Sequence, residues 1–138
     1  HIPVLLEASI QALGVHPNGK YIDLTFGGGG HSKAILEILK KGNGTLLSFD
    51  QDSEAQEQSM ILARDFASSF LFQRSNYRFF YQFAQMLNFI PVDGILADLG
   101  VSSHQFDTDY RGFSFRFEGP LDMRMNQDET RTAAIVLN

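Results

Sequence analysis

Residues 27–30 are four consecutive glycines, set between an apolar run ending in Asp23-Leu24-Thr25 and an apolar-faced stretch that follows Ser32. Glycine costs roughly 1 kcal/mol per residue in regular structure, so such a run belongs where a backbone must turn sharply or approach a ligand closely. A strand before the glycines (20–25) and a helix after them, with Ala34, Ile35, Ile38 and Leu39 on one face and Ser32 as its cap, make a strand–turn–helix unit. The free N–H groups at such a helix start suit a phosphate or a carboxylate. The same alternation continues along the chain. Gly42-Asn43-Gly44 stops the helix, 45–49 reads as a second strand with Asp50 at its end, and Asp52 or Ser53 caps a polar helix to about Phe66. A third strand is expected near 70–73, a helix over 77–87 and a fourth strand over 93–99, while a first helix near Pro3 is stopped by Gly14. Strands alternating with helices predict a parallel sheet covered on both faces. Such sheets bind ligands beyond the carboxyl ends of their strands, at the switch point, where the glycines, Asp50 and Asp98 all fall.

Composition narrows the chemistry. The 138 residues are 43% apolar and 20% charged, enough for one domain with a core and unlike a disordered chain. Cysteine is absent, which excludes disulfides, thiolate zinc sites and a cysteine nucleophile. The four histidines, His1, His16, His31 and His104, lack metal-ligand spacing, so no metal is expected. No apolar run approaches the roughly 18 residues of a membrane span. A net charge of −5 supplies no general attraction to nucleic acid, so any such partner depends on a local site. The opening at His1 without a leader, and a closing stretch at 132–138 that reads as the beginning of a helix, suggest a fragment of a longer protein.

The glycine loop alone does not name its ligand. A P-loop needs Gly-Lys-Ser/Thr, and here Lys33 follows Ser32. Neither register of G-x-G-x-x-G is complete. Asp50, 23 residues beyond Gly27, can accept hydrogen bonds from two ribose hydroxyls and repels a 2′-phosphate, or it serves as a turn acid. An adenosine-type ligand follows, with S-adenosylmethionine and NAD both open. Asp98 can hold an ammonium group or accept protons from a substrate amine, or it satisfies loop amides. Ser102 and Ser103 show no acid–base partner for nucleophilic catalysis. His31 orients the ligand or caps the helix, and Tyr77 packs on an adenine or joins the phenylalanine-rich core of Phe79, Phe80 and Phe83. Arg111, Arg116 and Arg124, interleaved with Phe113, Phe115 and Phe117, either grip a stacked base or are neutralised by nearby acids.

Taken together, Asp23-Leu-Thr-Phe-Gly-Gly-Gly-Gly-His-Ser32, Asp98-Leu-Gly-Val-Ser-Ser103, Arg111-Gly-Phe-Ser-Phe115, Gly119-Pro-Leu-Asp-Met-Arg-Met125 and the opening His1-Ile-Pro-Val-Leu-Leu-Glu7 resemble the MraW family. The resemblance covers nearly the whole chain. It implies a Rossmann-like class I methyltransferase that transfers a methyl group from S-adenosylmethionine to the exocyclic N4 amine of a cytosine in small-subunit ribosomal RNA. Residues 1–138 then form the N-terminal portion of the cofactor-binding domain, about four strands in order 3-2-1-4, with a helical insertion and later strands absent. Cofactor contacts carried over by position are Gly29, Gly30, His31, Asp50, Tyr77, Asp98 and Gln105, with Asp98 as the candidate catalytic group. Gly28, His104 and Asn126 stand where the family more often has arginine, proline and aspartate. The implied partner is small-subunit ribosomal RNA or a 30S-type particle, in the cytoplasm and away from membranes. An open edge at 93–98 would invite self-association. The alternatives are an NAD-dependent oxidoreductase, which should carry a complete glycine fingerprint, and a non-catalytic nucleotide-binding module.

Overall fold

The computed structural model describes residues 6–99 and the backbone of a strand at 134–137. Helix α1 (Leu6–Leu13) ends at Gly14, whose φ of +67° turns its N–H back to the Ile10 and Gln11 carbonyls. The order is then β1 (Lys20–Asp23), α2 (Gly30–Leu39), β2 (Thr45–Asp50), α3 (Ser53–Asp65) and β3 (Phe70–Arg74). A 3-10 turn (Tyr77–Phe79) leads into α4 (Phe80–Met86), followed by β4 (Gly94–Ala97) and β5 (Ala134–Leu137). All ladders are parallel, in the order β3-β2-β1-β4-β5. The four expected strands are therefore present in the expected order.

Two expectations fail together. Where a helix was expected to begin within 132–138, residues 134–137 form strand β5, paired with β4 in the register Gly94↔Ala134 to Ala97↔Leu137. Four apolar residues are too few for periodicity to separate helix from strand, and the β-branched pair Ile135-Val136 favours the sheet. The edge at 93–98 is thereby covered, which removes the reason for expecting self-association through it. A third correction concerns Ser32. It lies inside α2 and is fully buried, and the N-cap is Gly29.

Period-two alternation sorts the strand side chains onto two faces. Tyr21, Leu46, Phe70 and Leu96 pack with Leu36 and Leu39 of α2, Leu62 of α3 and Leu13 of α1. On the opposite face Ile22, Leu47, Phe49 and Ile95 pack with Ala84 of α4 and with Phe89 and Val92. Each such burial contributes about 1.5–3 kcal/mol. The same alternation carries Asp23 and Ser48 onto the α2 face, where both are buried. The polar groups of the switch point thus rest directly on the core.

Candidate cofactor site

The chain leaving β1 is pinned on both sides before it reaches the glycines. Leu24 N–H donates to the Leu96 carbonyl at 2.8 Å and Phe26 N–H to the Phe49 carbonyl at 2.9 Å, which ties the loop to β4 and to β2. Phe26 is buried as a wedge, its ring centroid 6.1 Å from that of Phe70 and 5.2 Å from that of Phe72. Gly27 then turns with φ +55° and Gly29 with φ +89°, a conformation that opens α2 without a side-chain cap. Gly29 is also sterically required, since a Cβ there would stand 2.9 Å from Phe26 Cζ.

Asp50 closes this loop from β2. Its Oδ2 accepts the Gly27 N–H at 2.8 Å and its Oδ1 the Asp52 N–H at 3.0 Å. Each oxygen retains acceptor capacity beyond these bonds. Between the loop and α3 lies an open cleft of about 550 Å³, lined by Gly27, Gly28, Asp50, Asp52, Glu54, Ala55, Glu57 and Gln58. The volume suits a small-molecule ligand. No lysine or arginine is among those lining residues.

Beneath the loop, Asp23 is fully buried. Its Oδ1 accepts the Thr25 N–H at 3.0 Å and its Oδ2 the Ser32 hydroxyl at 2.6 Å, with Ser48 Oγ a further 2.8 Å from Ser32 Oγ. Burial pushes its carboxyl up from 3.8 to about 6, against the lowering effect of those two bonds. Asp98, just past β4, donates its N–H to Thr25 Oγ1 at 2.6 Å. Its Oδ2 lies 3.9 Å from His31 Nδ1, an electrostatic contact longer than a hydrogen bond. His31 is only 3% exposed, and burial holds its imidazole below the ordinary value despite the opposing charge of Asp98, so the ring is neutral near pH 7. Its Nε2 has no hydrogen-bond partner among the described residues.

Gly29, Gly30, His31, Asp50 and Asp98 thus converge on one edge of the sheet. Tyr77 lies in the turn after β3, half-buried against the Phe49 and Ile22 cluster, and burial raises its phenol. Gln105 and the Arg111–Phe117–Arg124 loop lie outside the described residues. The buried Asp23–Ser32–Ser48 group and the link through Thr25 are additional to the residues expected from the sequence. The signal was available: in the pattern Tyr21, Asp23 and Leu46, Ser48, an acid and a hydroxyl occupy inward positions, and buried polar groups need partners. Among the described residues no cluster of His, Asp or Glu is arranged to hold a metal ion. None of the described helices is long and apolar enough to cross a membrane.

The sequence profile described as the MraW methylase family matches residues 1–138. The chain belongs to this family. Among curated relatives, a protein of Bacteroides fragilis named "Ribosomal RNA small subunit methyltransferase H" is 52% identical over 138 residues, covering 100% of this chain and 43% of that protein. Its namesakes in Amoebophilus asiaticus and Cytophaga hutchinsonii are 51% and 45% identical. This MraW-family chain therefore spans less than half the length of these relatives. Its fold is similar to that of an rRNA methylase from Streptococcus thermophilus, with a TM-score of 0.55 at 13% identity, over 80% of this chain and 64% of the other. The mycolic acid cyclopropane synthase CmaA1 aligns with a TM-score of 0.51 at 14% identity, over 76% of this chain and 37% of the other.

Proposed function

We propose that this chain builds the S-adenosylmethionine site of a methyltransferase that modifies the N4 amine of a cytosine in small-subunit ribosomal RNA. The observation that carries the cofactor assignment is the charge of the site. Asp50 ends β2 and Asp98 follows β4, one on either side of β1, and Asp52, Glu54 and Glu57 extend the acidic wall of the cleft, with the buried Asp23 beneath the loop. Such a wall favours a ligand bearing a sulfonium and an ammonium and opposes the pyrophosphate of a dinucleotide. The fit is also steric. Gly27 and Gly28 form the cleft wall without a Cβ, and behind the loop the buried Nε2 of His31 has no hydrogen-bond partner among the described residues.

In this reading Asp50 accepts from the ribose hydroxyls, and Gly27 to Gly30 let the backbone approach the ligand. S-adenosylmethionine, when bound, supplies an electrophilic methyl group on a positively charged sulfur. The protein's task is then alignment and exclusion of water. Asp98 carries its carboxylate to the edge where a substrate amine gains positive charge, and it stabilises that charge as an acceptor. The amine is engaged inside a duplex, so a splayed single-stranded cytosine is the suitable substrate. In this reading the partner is small-subunit ribosomal RNA or a 30S-type particle and the location is cytoplasmic, and the names of the relatives support the RNA substrate. The 138 residues correspond to the N-terminal portion of the cofactor-binding domain.

Calorimetry with S-adenosylmethionine and, separately, NAD tests the assignment. Selective binding of S-adenosylmethionine is expected, weakened about 10- to 100-fold by Asp50→Ala, since hydrogen bonds to a charged group contribute about 1.5–3 kcal/mol. Selective NAD binding overturns it. For the chemical role, Asp98→Ala should lower turnover at saturating cofactor by about 10²-fold, within the range for acid–base and electrostatic groups. Near-normal turnover would confine Asp98 to binding.

A further inference from the structure

We propose that Thr25 is a positioning residue that sets where Asp98 stands, and through it how the cleft receives the amino-acid end of its cofactor. The proposal rests on the S-adenosylmethionine reading above. β1 lies between β2 and β4 in the sheet. With neighbouring strands about 4.8 Å apart, the ends of β2 and β4 are separated by about 10 Å. With a ribose held at Asp50, on β2, the ammonium of the amino-acid arm finds its opposite charge across β1 at the Asp98 carboxylate, beside the β1–β4 junction. Thr25 and Asp98 meet at that junction.

The β1–β4 ladder continues past the strand ends by two different means. At its first added rung Leu24 N–H donates to the Leu96 carbonyl at 2.8 Å, an ordinary backbone bond. At the next, the Thr25 hydroxyl oxygen takes the place of a carbonyl and accepts the Asp98 N–H at 2.6 Å. Thr25 is itself held from behind, its N–H donating to the buried Asp23 carboxylate at 3.0 Å. A β-branched side chain has few χ1 options, so the hydroxyl is presented in one place with little entropy to lose. Asp98 is thus tied through its backbone, while its carboxylate stays near His31 Nδ1. The residue that shapes the β1–β4 junction therefore precedes the glycines and carries a side chain.

The decisive experiment compares S-adenosylmethionine with 5′-methylthioadenosine, which shares the adenosine but lacks the amino-acid arm. Calorimetry on the full chain should show that Thr25→Val raises the dissociation constant for S-adenosylmethionine about tenfold. The value for 5′-methylthioadenosine should stay within about twofold, and Thr25→Ser should restore the first. Equal losses for both ligands would mean a merely structural role and would overturn the proposal, as would no change for either. An unmodified chain that binds neither ligand would overturn the cofactor reading itself, a result distinct from these. Amide hydrogen exchange on the unmodified chain gives a reading independent of the variant's folding: the Asp98 N–H should exchange slowly, and exchange at the rate of an exposed loop amide would remove the tie.

Discussion

Asp23→Asn is expected to stabilise the folded chain by about 1–2 kcal/mol at pH 7.5 while weakening its grip on S-adenosylmethionine about tenfold. Asp23 is fully buried, and its carboxyl is pushed up to about 6 in the folded state. The folded chain therefore binds this proton more readily than the unfolded one. The stability contributed by the protonated form is fully present below about pH 4 and is lost as pH rises through about 6, at a cost of about 3 kcal/mol. Asparagine keeps an oxygen for the Thr25 N–H. Its amide can donate to Ser32 Oγ, leaving the Ser32 hydroxyl free to donate to Ser48 Oγ. One amide hydrogen is left without a partner, which trims the gain. Urea denaturation of both proteins at pH 4.5 and 7.5 checks the sign: the advantage of D23N should be present at pH 7.5 and absent at 4.5. A variant less stable than the parent at pH 7.5 would refute the assignment of Asp23 as a costly buried charge. Weaker binding in a more stable protein would show that this cost is tolerated for the cofactor, since a carboxylate buried beneath the loop attracts a cationic ligand as asparagine does not.

Gly29→Ala should destabilise the chain by about 2–4 kcal/mol and abolish cofactor binding at accessible concentrations. Two costs combine. A φ of +89° costs an alanine about 1–2 kcal/mol. Its Cβ would also meet Phe26 Cζ at 2.9 Å, and that ring cannot retreat because Phe70 and Phe72 pack against it. Gly14→Ala is the control, with φ +67° and nothing within 4 Å of the added carbon, so only the conformational cost remains. Thermal denaturation should therefore rank Gly29→Ala well below Gly14→Ala. Equal losses would show that the contact with Phe26 imposes nothing.

Much of this architecture was legible in the order of residues, for identifiable reasons. Gly14 and the 42–44 turn stop helices by local backbone preference, and the strand at Thr45–Asp50 is an apolar run with an acid at its end. These are short-range effects that hold wherever the segment lies. Ser32 misled because a serine after a glycine run is a good N-cap in isolation, yet here glycine takes the cap and the hydroxyl turns inward to Asp23. The stretch at 134–137 misled for a related reason. Its backbone is satisfied by β4, some forty residues earlier in the chain, and no local pattern announces that partner.

The parallel α/β plan, the glycine turn, and the placing of Asp50 and Asp98 near strand ends are written in the order of residues, because period-two and helical patterning act locally and topology rules do the rest. That Asp23 is a buried charge, that Thr25 spans β1 and β4, and that a fifth strand covers the fourth emerged only once the chain was folded. Each of these depends on groups distant in sequence meeting where water is excluded. There an unpaired polar atom is too costly to leave, and the partner it finds is set by the packing of the whole sheet.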